Sequence, residues 1–154
     1  MTKRTKVAIR KLPTGVPGLD QILGGGLPEF SFNIIAGTPG CGKTTLAHQI
    51  AFANATAERP ALYFTILGEP ALKMLRYQQQ YDFYDETMMG SAIRFINLSE
   101  QVLKGDWNVV LDAIISEVEA ANPAIVIVDS FRSMARKFNG ASGETDLQSM
   151  EIGR

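Results

Sequence analysis

The residues best suited to chemistry form one short run, Gly37-Thr-Pro-Gly-Cys-Gly-Lys43-Thr44. This run satisfies the pattern G-x-x-x-x-G-K-[ST] at every fixed position, which is the pattern of a phosphate-binding loop. Its glycines allow backbone N–H groups to approach phosphate oxygens without obstruction by side chains. We therefore expect the following residues to bind a nucleotide: Gly37, Thr38, Pro39, Gly40, Cys41, Gly42, Lys43, Thr44 and Thr45.

Two side chains of this loop suit ATP and Mg²⁺ as the bound groups. Lys43 can reach the β- and γ-phosphates and act in catalysis, and the Thr44 hydroxyl can ligate Mg²⁺. A glycine-rich turn that merely precedes a helix requires neither residue. Cys41 has two interpretations, a redox-sensitive thiol in positive surroundings or a small side chain that fits the loop.

A second candidate for metal binding is Asp129, which follows the apolar run Ala124–Val128. An acid at the end of such a strand can hold Mg²⁺ through water, and we favour this role over capping of the next turn. Ser130 follows directly. It is predicted either to hydrogen-bond a phosphate or water, or to cap a turn.

ATP hydrolysis also needs a group that orients the attacking water, and Glu69 is the nearest acid to the end of a second predicted strand. Because Glu69 immediately precedes Pro70, it can equally stabilise a helix N-terminus as a charge. Both roles stay open. The only histidine, His48, is expected to be a surface or core residue rather than a catalytic one.

The elements that would position these residues are strands alternating with helices. Such alternation predicts an α/β fold with a mainly parallel sheet flanked by helices. The predicted strands are Ser31–Ala36, Ala61–Ile66, Ile93–Asn97 and a central one, covered on both faces, at Ala124–Val128. The predicted helices run from Thr44 to about Ala57, from about Pro70, and from Trp107 after an Asp106 cap to Asn122-Pro123, with a short helical turn near Leu19–Leu23.

Composition narrows the class of protein. The chain has 154 residues, which suits one domain, and 45% are hydrophobic. A net charge of −1 argues against broad electrostatic capture of nucleic acid or anionic membrane. There is no apolar run long enough to span a bilayer, and a single cysteine fits a reducing cytoplasm. Residues 1–12 are predicted to be a basic arm, solvated or partner-binding, and residues 13–154 the domain.

Four segments together resemble the ATPase domain of the KaiC-like family, within the wider RecA/RadA group of P-loop proteins. They are Thr14-Gly-Val-Pro-Gly-Leu-Asp20, Gly24-Gly-Gly-Leu-Pro28, Ala36–Thr45 and Ile125-Val-Ile-Val-Asp-Ser130. The resemblance implies a RecA-type core that binds nucleotide between subunits of a ring, often a hexamer. Lys43, Thr44 and Asp129 match the motif positions of the family.

The chain departs from the family pattern at three places. KaiC ends the strand before the catalytic position with two adjacent glutamates, whereas this chain has Leu67 and Gly68 there and one glutamate, Glu69, before Pro70. Phe30 stands where the family usually has glycine. The strand that lies between the two motif strands follows Asp129 in the family, and no such strand is predicted here. The sequence therefore predicts a core incomplete at its C-terminal end, from a truncated product or a fragment.

Three functions remain for this sequence. The leading one is an ATPase of KaiC-like signalling or clock type, active if the complete site is assembled, with protein signalling partners. The second is a RecA/RadA-like ATPase of DNA recombination, although residues 131–154 lack an aromatic-rich basic strip for single-stranded DNA. The third is a nucleotide-gated interaction module without turnover.

Overall fold

The computed structural model describes residues 8–65 and 76–130. These residues form an α/β structure whose elements follow the order β1 (Lys11–Leu12), α1 (Leu19–Ile22), β2 (Leu27–Pro28), α2 (Lys43–Asn54), β3 (Ala61–Thr65), a 3₁₀ turn (Glu86–Met88), β4 (Ile93–Asn97), α3 (Ser99–Leu103), α4 (Trp107–Ala121) and β5 (Ile125–Asp129). The predicted basic arm through residue 7, residues 70–75 of the helix predicted after Pro70, and the tail from 131 lie outside the described residues, whereas residues 76–78 are helical.

The main sheet has three parallel strands in the order β4-β3-β5. The register pairs Tyr63 with Ile127 and Thr65 with Asp129, so the carboxyl ends of β3 and β5 lie side by side. Strand β5 was predicted to be central, but within the described residues it pairs with β3 alone and is an edge strand. Its Val126 is accordingly 39% exposed.

The two faces of this sheet are covered by different helices. Successive side chains of a strand point to opposite faces. On one face a buried cluster from α2, β3 and β4 includes Ala51, Phe52, Ala61 and Ile93. On the other face Leu62 and Phe64 of β3 are fully buried against Val102 of α3 and Val110 of α4. Strand β3 is thus the centre of the core.

The predicted strand Ser31–Ala36 is absent: residues 31–38 carry no secondary structure and are exposed. Phe32 and Ile34 are 90% and 77% exposed. Apolar and β-branched residues favour a strand only where a neighbouring strand supplies ladder hydrogen bonds and a packing surface. Among the described residues none pairs with this segment, so its sequence preference is not realised.

A short N-terminal ribbon lies against α2. Strands β1 and β2 pair antiparallel, and Asp20 Oδ1 accepts hydrogen bonds from the Thr14 hydroxyl at 2.7 Å and the Thr14 backbone N–H at 2.9 Å. These bonds lower the pKa of Asp20. Gln49 and Asn54 of α2 donate to the carbonyl oxygens of Gly15 and Pro13, each at 2.7 Å. Residues 13–15 therefore fasten the ribbon to the helix that follows the phosphate loop.

Candidate nucleotide-binding site

The loop before α2 has a backbone that glycine favours. Gly40 and Gly42 have φ values of 79° and 89°, in the left-handed region that side chains rarely adopt. A Cβ at Gly37 would collide with the sulfur of Cys41. The loop is exposed from residue 37 to residue 42. Its shape thus depends on Gly37 and Gly42, which the motif specifies, and on Gly40 between them, as the sequence predicts.

The N-terminus of α2 is suited to an anion. Its N-cap is Gly42, which provides no side-chain acceptor, and its first turn contains no acidic residue. The first N–H groups of a helix have no partner within the helix, and its dipole places partial positive charge at that end. A twelve-residue helix that starts after a glycine loop in this way can bind phosphate.

Lys43 places its ammonium group over the same loop. Its Nζ donates to the carbonyl oxygens of Gly37 at 3.1 Å and Thr38 at 2.7 Å, and lies 3.8 Å from the sulfur of Cys41. Cys41 is exposed and not in a disulfide. The positive charge is thus held where an anion bound to the loop would meet it.

The two predicted metal-binding residues meet across the site. Thr44 Oγ1 donates a 2.7 Å hydrogen bond to Asp129 Oδ2, although 85 positions separate the two residues in sequence. A hydroxyl and a carboxylate are oxygen ligands of the kind that Mg²⁺ prefers, with phosphate oxygens and waters completing its shell. Within residues 8–65 and 76–130, no cluster of three His, Cys, Asp or Glu side chains offers another metal site. The residues present therefore fit Mg²⁺ together with a nucleotide.

A second side chain, Tyr63, also holds the Asp129 carboxylate, and sequence reasoning missed it. The Tyr63 hydroxyl donates to Asp129 Oδ2 at 2.6 Å. Burial, then the nearby Asp129 charge and this hydrogen bond, raise the pKa of Tyr63, so the hydroxyl stays protonated. The sequence did contain a usable signal. Side chains alternate along β3, so Tyr63 and Thr65 lie on one face of the sheet, near the end of β5 where Asp129 lies.

His48 lies directly beneath this network as a core residue, not a surface one. Its ring meets the Tyr63 ring edge-on at a centroid distance of 4.4 Å and the Phe95 ring at 5.5 Å. Neither ring nitrogen has a hydrogen-bond partner among the described residues. Burial lowers the pKa of His48, opposed by the Gln78 side chain and the Asp129 charge. The ring is therefore held in its neutral form.

The remaining predicted site residues are Thr45, Ser130 and Glu69. Thr45 is half-buried in the first turn of α2, and Ser130 directly follows Asp129 and is also half-buried. Glu69 belongs to residues 66–75, outside the described part of the chain. The structure therefore brings together the phosphate loop, Thr44 and Asp129.

Comparison with protein families identifies the family of this chain. The family model described as "ATPase: KaiC" matches residues 12–148. The chain belongs to this family. The KaiC ATPase family consists of P-loop ATPases of the RecA/RadA superfamily, which generally use ATP and Mg²⁺.

Similar proteins carry two kinds of name. The chain is 36% identical over 126 residues to "DNA repair protein RadA" of Mycobacterium tuberculosis, an alignment that covers 82% of this chain and 23% of the relative. It is 37% identical over 62 residues to a "UPF0273 protein" of Thermotoga maritima, which covers 40% of this chain and 26% of the relative. The chain thus spans about a quarter of the length of these relatives. Within the described residues, no helix combines the length and apolarity needed to cross a membrane.

Proposed function

We propose that this chain binds ATP with Mg²⁺ at residues 37–45 and Asp129 and hydrolyses it, as a KaiC-like signalling or clock ATPase. The observation that carries the proposal is the 2.7 Å contact between Thr44 and Asp129 at the uncapped start of α2. A glycine-rich turn and helix with only a structural role would not require this contact. A hydroxyl and a carboxylate that are far apart in sequence would have no reason to meet beside the loop.

Each residue has a proposed task. Lys43 exchanges its bonds to the Gly37 and Thr38 carbonyls for bonds to phosphate oxygens, and Ser130 donates to a phosphate or water. Thr44 and Asp129 hold Mg²⁺, which neutralises the charge on the phosphates when it is bound. Glu69 orients the attacking water. The resemblance to KaiC motivates the further proposal of a cytoplasmic, hexameric ring, in which a neighbouring subunit supplies a basic residue to each site.

The first test compares two lysines that have the same local bonding. Like Lys43, Lys11 donates from Nζ to two loop carbonyls, those of Leu23 and Gly24, both at 2.9 Å. We expect Lys43→Ala to weaken binding of a fluorescent ATP analogue about 100-fold, because charge-assisted bonds to phosphate are lost. Lys11→Ala should leave the affinity unchanged. Equal affinities of wild type and Lys43→Ala would refute the proposed site.

A second candidate function is a DNA-dependent ATPase. The 36% identity to a protein named for DNA repair favours it, whereas the net charge of −1 does not. Binding to labelled single-stranded DNA that weakens with salt would support this candidate, because phosphate contacts release counterions. ATP turnover that is unaffected by DNA would favour the signalling ATPase.

A third candidate is a nucleotide-gated module without turnover. Leu67 and Gly68, which stand where KaiC has two glutamates, favour it. Phosphate release separates this candidate from the first. A release rate no higher in the wild type than in Glu69→Gln would favour the module, and a clear drop in Glu69→Gln would favour hydrolysis with Glu69 as the water-orienting residue.

A further inference from the structure

One carboxylate oxygen of the candidate site is held by two hydroxyls from different elements. Asp129 Oδ2 accepts from Thr44 at the start of α2 and from Tyr63 in the middle of β3, at 2.7 and 2.6 Å. A carboxylate oxygen has two lone pairs, so these two donors use the acceptor capacity of Oδ2. The orientation of the carboxylate is thereby set from two sides.

The Tyr63 donor is itself rigid. Tyr63 is 1% exposed, and its ring lies against the rings of His48 and Phe95 at centroid distances of 4.4 and 5.1 Å. The β3–β5 register fixes its backbone two residues upstream of the pair Thr65 and Asp129. A hydroxyl on a packed ring in a central strand occupies one position, whereas Thr44 belongs to the first turn of a helix that follows an exposed loop.

The Thr44 and Tyr63 hydroxyls would have different roles when a cation binds. The Thr44 oxygen is a candidate metal ligand, since its lone pairs can bind a cation while its proton stays hydrogen-bonded to Asp129. The Tyr63 hydroxyl lies in the core and has no such second role. It can keep Asp129 in place while the Thr44 oxygen takes part in binding the cation. Residues that hold a metal-binding group by hydrogen bonds commonly change metal affinity 10- to 100-fold when they are removed.

We propose that Tyr63 is a positioning residue that holds Asp129 for Mg²⁺–nucleotide binding. This inference rests on the proposed function, because it assumes that Asp129 serves a metal bound with ATP. A purely structural role would differ: the hydroxyl would then only satisfy buried polar groups, and its loss would change stability without changing the response to metal.

The experiment titrates Mg²⁺ into the purified chain with a fluorescent ATP analogue. Tyr63→Phe removes one hydroxyl and keeps the packed ring. The matched control is Tyr81→Phe, which removes the same atom from a ring that stacks on Phe83 at 5.4 Å and is 47% exposed. We expect Tyr63→Phe to raise the Mg²⁺ concentration at half-maximal binding about tenfold and to leave the metal-free affinity for the analogue unchanged. Tyr81→Phe should change neither quantity.

A double-mutant cycle tests whether the effect passes through Asp129. In an Asp129→Ala background, Tyr63→Phe should cause no further change in the Mg²⁺ midpoint. An undiminished tenfold effect in that background would overturn the proposal.

The outcomes separate this inference from the proposed function. If the wild type does not bind the analogue at any Mg²⁺ concentration, the proposed function is wrong and the inference falls with it. If the wild type binds with Mg²⁺ dependence and Tyr63→Phe has the same midpoint, only the role of Tyr63 is wrong. An equal loss of metal-free and metal-bound affinity in Tyr63→Phe would also overturn that role, because it indicates a general structural defect.

Discussion

The two long helices on opposite faces of the sheet begin in opposite ways. Helix α4 starts at Trp107 after Asp106, whose side chain accepts from the Asn108 N–H at 2.8 Å. Helix α2 starts at Lys43 after Gly42, with no side-chain cap and no acid in its first turn. A side-chain cap commonly contributes about 1 kcal/mol to stability. Helix α2 goes without this contribution at the end that faces the candidate phosphate site.

The difference extends to what each helix buries. Helix α2 buries His48, whose ring nitrogens have no hydrogen-bond partner among the described residues. The buried residue of α4 is Val110, which is apolar. An unpaired polar group in the interior is unfavourable. Helix α4 is thus arranged for stability. Helix α2 gives up stability at two places, and both lie beside the network of Thr44, Tyr63 and Asp129.

Among the changes that test this contrast between the helices, the largest effect is expected from placing an acidic residue in the first turn of α2. Thr45→Glu places a carboxylate in the first turn, where it interacts favourably with the helix dipole and repels bound phosphate. We expect stability to rise by about 0.3–1 kcal/mol while affinity for the ATP analogue falls about tenfold or more, by ~1.4 kcal/mol. Urea unfolding and fluorescence titration measure the two quantities.

The neutral control for this change is Thr45→Gln, which has nearly the same shape as the glutamate variant. It also replaces the Thr45 side chain, so any loss common to both variants comes from the threonine and not from charge. If the glutamate and glutamine variants bind the analogue equally, the start of α2 is not an anion site, and its contrast with α4 has no functional meaning.

A smaller effect is expected from removing the cap of α4. Asp106→Ala should lower the free energy of unfolding by about 1 kcal/mol, because the Asn108 N–H loses its acceptor. Affinity for the ATP analogue should not change. Asp106→Asn keeps a side-chain oxygen and should retain most of the stability. If Asp106→Ala instead lost nucleotide affinity and kept its full stability, the N-termini of α2 and α4 would not differ in role as proposed.

Local signals in the sequence predicted much of this fold. Strand Ile93–Asn97 and the start of α4 at Trp107 lie where predicted, because strand periodicity and the Asp106 cap act over a few neighbouring residues. The phosphate loop was predictable for the same reason: its glycines, Lys43 and Thr44 are consecutive or nearly so. The KaiC family membership follows from such local motifs in the right order.

Features that depend on distant partners were not predictable in this way. Whether residues 31–36 form a strand depends on a pairing neighbour, and the described residues supply none. The position of β5 at the edge of the described sheet likewise depends on which strands pair, not on its own apolar sequence. The bond from Tyr63 to Asp129 joins residues 66 positions apart, and its prediction needed the β3–β5 register as well as the motif.

The smallest effect concerns His48 and appears only as a dependence on pH. Burial lowers its pKa below the ordinary value of 6.5, so the unfolded chain takes up a proton at a higher pH than the native protein. Stability should therefore fall as pH drops through about 6.5, and this loss should be absent well above that pH. His48→Phe removes the titrating group and the two buried ring nitrogens, and His48→Gln removes the titration but keeps a polar group.

Urea unfolding midpoints at pH 7.5 and 5.5 test whether His48 causes this pH dependence, because the chain has no other histidine. Both variants should lose the part of the pH dependence that the wild type shows in this range, and the Phe variant should be the more stable of the two. The lowered pKa values of Asp20, Glu58 and Asp85 affect all three proteins alike. The same slope in all three would mean that His48 is not held neutral, and that α2 gives up stability only at its uncapped N-terminus.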